Sequence, residues 1–164
     1  MTNSKTLTPK SYLFSLSIIH AGLTFGILLF TIVIFVMSDG LILGFKAGEN
    51  VFIYLVPIVA IIAYFGSNYL FNKQLASILK SNSLMERLML YQKASVIRFA
   101  ILEGAAFLST IAFMLHKNIF YLVISVLLIL YLFKLRPTKK KVMDHLSLSL
   151  EEQQYFQIEN GGPE

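Results

Sequence analysis

No cysteine occurs among the 164 residues, which excludes disulfides, thiolate catalysis and cysteine-ligated metal sites together. Charge is scarce: Asp, Glu, Lys and Arg make up 14% of the chain, against roughly a quarter in ordinary soluble domains. The signatures of zinc proteases, serine hydrolases and phosphate-binding loops are missing, and the three histidines stand far apart. No two carboxylates lie close enough in the apolar stretches for paired acid–base work. These absences point away from an enzyme and imply no cofactor and no metal. Apolar surface is what the chain has in excess. Hydrophobic residues reach 56%, more than a water-soluble fold of this size can hide. A bilayer is the solvent that accommodates them.

Four uninterrupted apolar runs, residues 13–37, 51–71, 96–115 and 119–135, come close to or exceed the about 20 helical residues that cross a hydrocarbon core. Lys5 and Lys10 precede the first run in the manner of a signal peptide, but it is too long and lacks a small-x-small cleavage site, so it reads as an uncleaved helix. Twelve of the fourteen basic residues fall on the side that receives both termini and the middle loop. Only Lys46 and Lys117 fall on the other. This bias places both termini in the cytoplasm. The expected fold is all-α and polytopic: a bundle of four transmembrane helices over residues 1–136, arranged as two antiparallel hairpins. A cytoplasmic tail over 137–164 follows, first basic, then acidic, and disordered at its end. Such a topology accounts for the net charge of +5, and no nucleic acid is needed as a partner. Lys134, Arg136, Lys139, Lys140 and Lys141 form a basic membrane-surface segment suited to anionic lipid head groups.

Local signals set several boundaries. Thr8 before Pro9 is a cap followed by a first-turn proline. Ser83 with Glu86 and Ser149 with Glu152 match capping boxes. From Leu84 the helical pattern runs unbroken to Leu115, about 48 Å of helix, so the third helix projects beyond the membrane. With the end of the second helix it forms a cytoplasmic hairpin turning at residues 81–83. In the tail, residues 138–146 and 150–158 read as short helices. They lie solvated at the membrane surface or dock a partner. Pro57 is expected to bend the second helix.

Polar groups inside the spans mark candidate sites. Glu103 is the foremost, because an acidic residue at mid-span costs about 2.5–3.5 kcal/mol on insertion scales. Arg98 lies five residues away, about 140° around the helix, and is expected to snorkel to the head groups. Ser17, His20, Thr24 and Thr31 form a stripe about 60° wide on the first helix, facing the bundle. His20 therefore has the depth to meet Glu103, with Asn68 or Tyr64 alongside. Glu103, His20, Asn68 and Thr24 are the candidate intramembrane polar site, acting either as interhelical glue or as a proton-carrying or cation-binding group. Small-residue pairs at Gly22/Gly26, Ala63/Ser67, Ala100/Gly104 and Ala105/Ser109 suit close helix approach. The fourth helix is expected to face lipid most. Tyr12, Tyr54, Tyr69, Tyr121 and Tyr131 suit the interfacial aromatic belts.

Residues 98–107, Arg-Phe-Ala-Ile-Leu-Glu-Gly-Ala-Ala-Phe, resemble the carboxylate helix of rotary ATPase proteolipid (c) subunits. The resemblance implies that Glu103 carries an ion. The whole chain resembles, through Leu102-Glu103-Gly104 and the Leu-Arg-Pro-Thr-Lys of residues 135–139, small four-helix bacterial inner-membrane proteins of unassigned function. That likeness implies a location in the bacterial inner membrane and no particular activity. The expected function is a non-enzymatic structural or accessory component of a membrane assembly. Its partners are the lipid bilayer and either a second copy of the chain or another membrane protein. The alternative is a proton- or cation-coupled transporter or proteolipid built on Glu103 and His20.

Overall fold

The computed structural model describes residues 9–44, 51–78 and 83–159. The Thr8 cap, Lys5, Lys46, Lys80, most of the 81–83 turn and the end of the tail after residue 159 lie outside them. The described residues form helices α1 (Pro9–Val36), α2 (Phe52–Ile78), α3 (Leu84–His116), α4 (Ile119–Lys134), α5 (Lys139–Leu146) and α6 (Leu150–Glu159). Helices α1, α2 and α3 are each long and apolar enough to cross a membrane. Helix α4 has 16 residues, about 24 Å against a core of about 30 Å. It counts as a span only together with α5, from which it is bent by 78°. Three to four candidate crossings result.

The ends of these helices follow local chemistry. Ser83 Oγ accepts from Glu86 N at 3.2 Å, relieving one of the orphan amides of α3. At α6 the capping box is complete: Ser149 N donates to the Glu152 carboxylate at 2.9 Å, and Glu152 N to Ser149 Oγ at 3.3 Å. Lys117 stops α3 in the left-handed conformation, φ 52°. Asn118 then caps α4 by accepting from Phe120 N at 3.0 Å. The segment after α1 is tied to this turn by Ile42 N to Lys117 O at 2.9 Å and Ile119 N to Ile42 O at 3.2 Å. Pro57 is tolerated within α2, which continues through it as one element.

Helix α3 is the axis of the bundle and packs against α1, α2 and α4, whereas α1 and α2 make no substantial contact with each other. His20 lies against Phe99 and Thr31 against Thr110, so α1 runs alongside α3 in the same direction. Asn68 meets Arg98 and Phe52 meets His116, so α2 runs the opposite way. So does α4, with Thr110 meeting Ser125 and Arg98 meeting Tyr131.

Several expectations are corrected by packing. Helix α2, with five buried residues in 27, exposes more of itself than α4, with five in 16. Tyr12 and Tyr121 are buried in the core, while Tyr54 and Tyr69 are exposed. The described part of the tail is docked on the bundle rather than solvated. Val142, Leu146, Leu148 and Phe156 are buried in the same apolar cluster as Tyr12 and Leu16 of α1, Ile78 of α2 and Leu88 of α3. Burial of four large apolar side chains, at about 1.5–3 kcal/mol each, is enough to hold two short helices. An Arg87–Glu152 ion pair reinforces the joint.

Candidate functional site

The candidate intramembrane residues do not converge. His20 is buried, and its Nε2 donates to Leu132 O at 2.8 Å. That carbonyl belongs to the last turn of α4 and also accepts from Leu135 N at 2.9 Å, so the imidazole adds a second donor, from another helix, to the end of α4. Thr24 is buried a turn further on, and its hydroxyl has no hydrogen-bond partner. Asn68 joins neither: its Oδ1 accepts from Arg98 Nη2 and from Tyr131 OH at 3.0 Å, and its Nδ2 donates to Tyr64 O at 2.7 Å. The expected His20–Glu103 contact is absent because α4 reaches the imidazole first.

Glu103 is half-buried and is not among the hydrogen-bonded or ion-paired groups of the described residues. It stands at the edge of the face of α3 left open between α1 and α2. Ala100, Gly104 and Ile111 are exposed on that face, and a Cβ built on Gly104 would meet nothing within 4 Å. Gly22, Gly26 and Gly66 likewise look onto open space. These glycines therefore do not serve close packing inside the chain.

The buried polar groups that do converge are hydroxyls. Thr110 and Ser125 lie 2.7 Å apart, Thr31 sits 2.9 Å from Thr110, and Ser109 donates to Tyr121 O at 2.6 Å. Thr31 also donates to Ile27 O at 2.9 Å, and Ser125 to Ala106 O at 3.3 Å. Every member of the Thr31–Thr110–Ser125 cluster thus has a partner, and α1, α3 and α4 are pinned at one level.

A second polar centre lies where the tail meets the bundle. Arg98 is held by side chains of two other helices rather than extending freely. Its guanidinium stacks over Phe71, 4.7 Å from the ring centroid, and Nη2 donates to Asn68 Oδ1 and, at 3.1 Å, to Tyr131 OH. Its Nε is buried without a partner. Pro137 and Thr138 turn the chain at the end of α4, and Thr138 Oγ1 caps α5 by accepting from Lys141 N at 3.3 Å. Lys141 Nζ then reaches back to donate to Lys134 O at 2.7 Å and Arg136 O at 3.0 Å, covering the free carbonyls at the α4 terminus. Next along α5, His145 Nδ1 lies 3.0 Å from Tyr91 OH, with its ring against Phe71.

Together these groups enclose a half-open cavity of about 290 Å³, lined by Arg98, Lys134, Lys141, His145, Tyr91 and Tyr131 among others, with no carboxylate among the described residues of its wall. Burial pushes the Lys141 ammonium below its usual range, and the charges of Arg98 and Lys134 push the same way. Burial likewise lowers His145, aided by Arg98 and Lys141 and opposed by Asp144. Of the expected surface cations, Lys134 and Lys141 line this cavity. Arg136 borders a different groove, between α1 and α4, and Lys139 and Lys140 do not line the cavity. Sequence reasoning missed the part played by Arg98, whose position depends on Asn68 and Tyr131 of two other helices.

Among the described residues no cluster of His, Cys, Asp and Glu could hold a metal ion. Compared with known proteins, the chain matches no family model, no curated protein and no solved structure.

Proposed function

We propose that this helical membrane protein is a non-enzymatic structural or accessory component of a membrane assembly. It lies in the bacterial inner membrane, crossing four times as two antiparallel hairpins with both termini in the cytoplasm. The observation that carries the reading is Glu103, half-buried and without a polar partner among the described residues, beside the open Ala100–Gly104 strip of α3. A carboxyl at that depth is costly unless a neighbouring helix supplies a donor, and small residues beside it allow that helix to approach. The sidedness is supported by the basic residues gathered at the tail-bearing end, in keeping with the positive-inside bias.

Extraction in mild detergent tests the assembly. The expected result is a complex larger than the lone chain that survives Glu103→Gln and is lost with Gly104→Leu, while Gly26→Leu leaves it intact. A monomer with nothing co-purifying overturns the reading. The same unpartnered carboxyl supports a second reading, proton or cation carriage. Proteoliposome flux abolished by Glu103→Gln would favour it over the first.

A further inference from the structure

The cationic cavity has a neighbour. Between α2 and α4 runs an apolar groove of about 560 Å³, walled by Pro57, Ile61, Phe65, Ile124 and Leu127. Tyr64 and Tyr131 line both spaces, so the groove and the cavity adjoin at these two rings. The groove follows helices that are apolar enough to lie in hydrocarbon, while the cavity lies at head-group depth. Arg98 to His116 spans about 27 Å of α3, close to the thickness of the hydrocarbon core. When that stretch fills the core, the Arg98 guanidinium sits at its boundary, where phospholipid phosphates lie.

From these two adjoining spaces we infer that the protein holds one anionic phospholipid as a bound ligand, its phosphate in the Arg98–Lys134–Lys141 cavity and an acyl chain in the α2–α4 groove. The cavity is the polar half of an amphiphile's site. Among the described residues it presents three cations and no carboxylate, and Arg98 Nε is buried with no partner. Lys141 has given two of its three donors to backbone carbonyls and keeps one. Tyr131 lies at the junction, its hydroxyl toward Arg98 and its ring beside Tyr64, 4.8 Å between centroids. The apolar half has little polar surface to offer a soluble anion. A free phosphate would use the cavity and leave the groove unfilled. The inference does not rest on what the α3 face binds. Burial first, and the neighbouring cations second, lower the affinity of Lys141 and His145 for protons, and an entering phosphate would offset the second of these causes.

Native mass spectrometry of the full chain in mild detergent tests the site, using phosphatidylglycerol, phosphatidylcholine and inorganic phosphate as separate probes. One phosphatidylglycerol is expected to bind about tenfold more tightly than phosphatidylcholine, as befits a charge-assisted contact worth about 1.4 kcal/mol or more. Lys141→Gln and Arg98→Gln abolish that preference. Leu127→Trp, which fills the groove without touching a charge, weakens both lipids. Lys140→Gln, outside the cavity, leaves binding within about twofold. Because Arg98→Gln also removes contacts between helices, Lys141→Gln and Leu127→Trp stand as the deciding variants. In parallel, the His145 imidazole resonance should titrate at higher pH once phosphatidylglycerol is added. Equal binding of the two lipids, binding unaffected by Leu127→Trp, or inorganic phosphate competing fully with the lipid would each overturn the assignment.

Discussion

Toward the C-terminal end of α1, the hydroxyls of Thr31, Thr110 and Ser125 close on one another and on backbone carbonyls, so that each is buried and partnered. At the tail-bearing end, Arg98, Lys134 and Lys141 share a cavity with no carboxylate among its described lining residues. The first region uses neutral groups that satisfy themselves within three helices. The second gathers like charges from α3, α4 and α5 and leaves donors over. A polar cluster that is complete has nothing to offer a ligand and fixes the register of helices. One with surplus donors at a membrane boundary is suited to take something in.

The two regions differ most in their dependence on the tail, and Leu146→Ala exposes this. Leu146 is fully buried in the cluster that joins α5 to α1 and α3. Its truncation should weaken tail docking by about 2–5 kcal/mol, open the 147–149 segment to limited proteolysis and spare the hydroxyl cluster. Smaller is the coupling within the cluster itself. A double-mutant cycle of Thr110→Val and Ser125→Ala should give an interaction of about 0.6–1.7 kcal/mol, read by unfolding in mixed detergent and independent of pH and salt. The Arg87–Glu152 pair, partly exposed, should contribute about 1 kcal/mol or less in a Glu152→Gln comparison and fade as salt is raised.

The smallest expected effect is on pH. His145 holds its proton less tightly in the docked tail than at its ordinary value of 6.5, first through burial and then through Arg98 and Lys141, with Asp144 opposing. The undocked tail therefore binds the proton better. Docking is complete above about pH 6.5 and weakens as the pH falls below it. Proteolysis of the 147–149 segment across this range should show the change, and His145→Gln should flatten it. Equal pH response in the hydroxyl cluster and the tail would erase the contrast between the two regions.

Much of the helical framework was legible because it rests on local pattern. The break at residue 117, the start of α3 at Leu84, and the caps at Ser83 and Ser149 all follow from neighbours within four residues. The stripe on α1 was legible for the same reason: His20, Thr24 and Thr31 are buried together. Their partners were not. His20 could meet Glu103 by depth, yet the terminal carbonyl of α4 lies nearer in space, 112 residues away in sequence. Asn68 was singled out correctly as a polar group in a span and wrongly grouped, since its partners are Arg98 and Tyr131. The tail's docking was left open because its apolar residues alternate with charge in a way that suits a membrane surface or a protein face equally.

By itself the sequence determined the solvent: a chain this apolar and this poor in charge must place its helices in lipid, because burial scales with composition. It also determined where helices begin and end, because caps and breakers act over a single turn. Only the tertiary structure decided which polar groups meet, because side chains on different helices are brought within 3 Å by packing that no periodicity encodes. It fixed Arg98 against Phe71, Asn68 and Tyr131, left Glu103 at an open face, and brought Lys134 and Lys141, two of the cations that the sequence assigned to the membrane surface, into one cavity with Arg98.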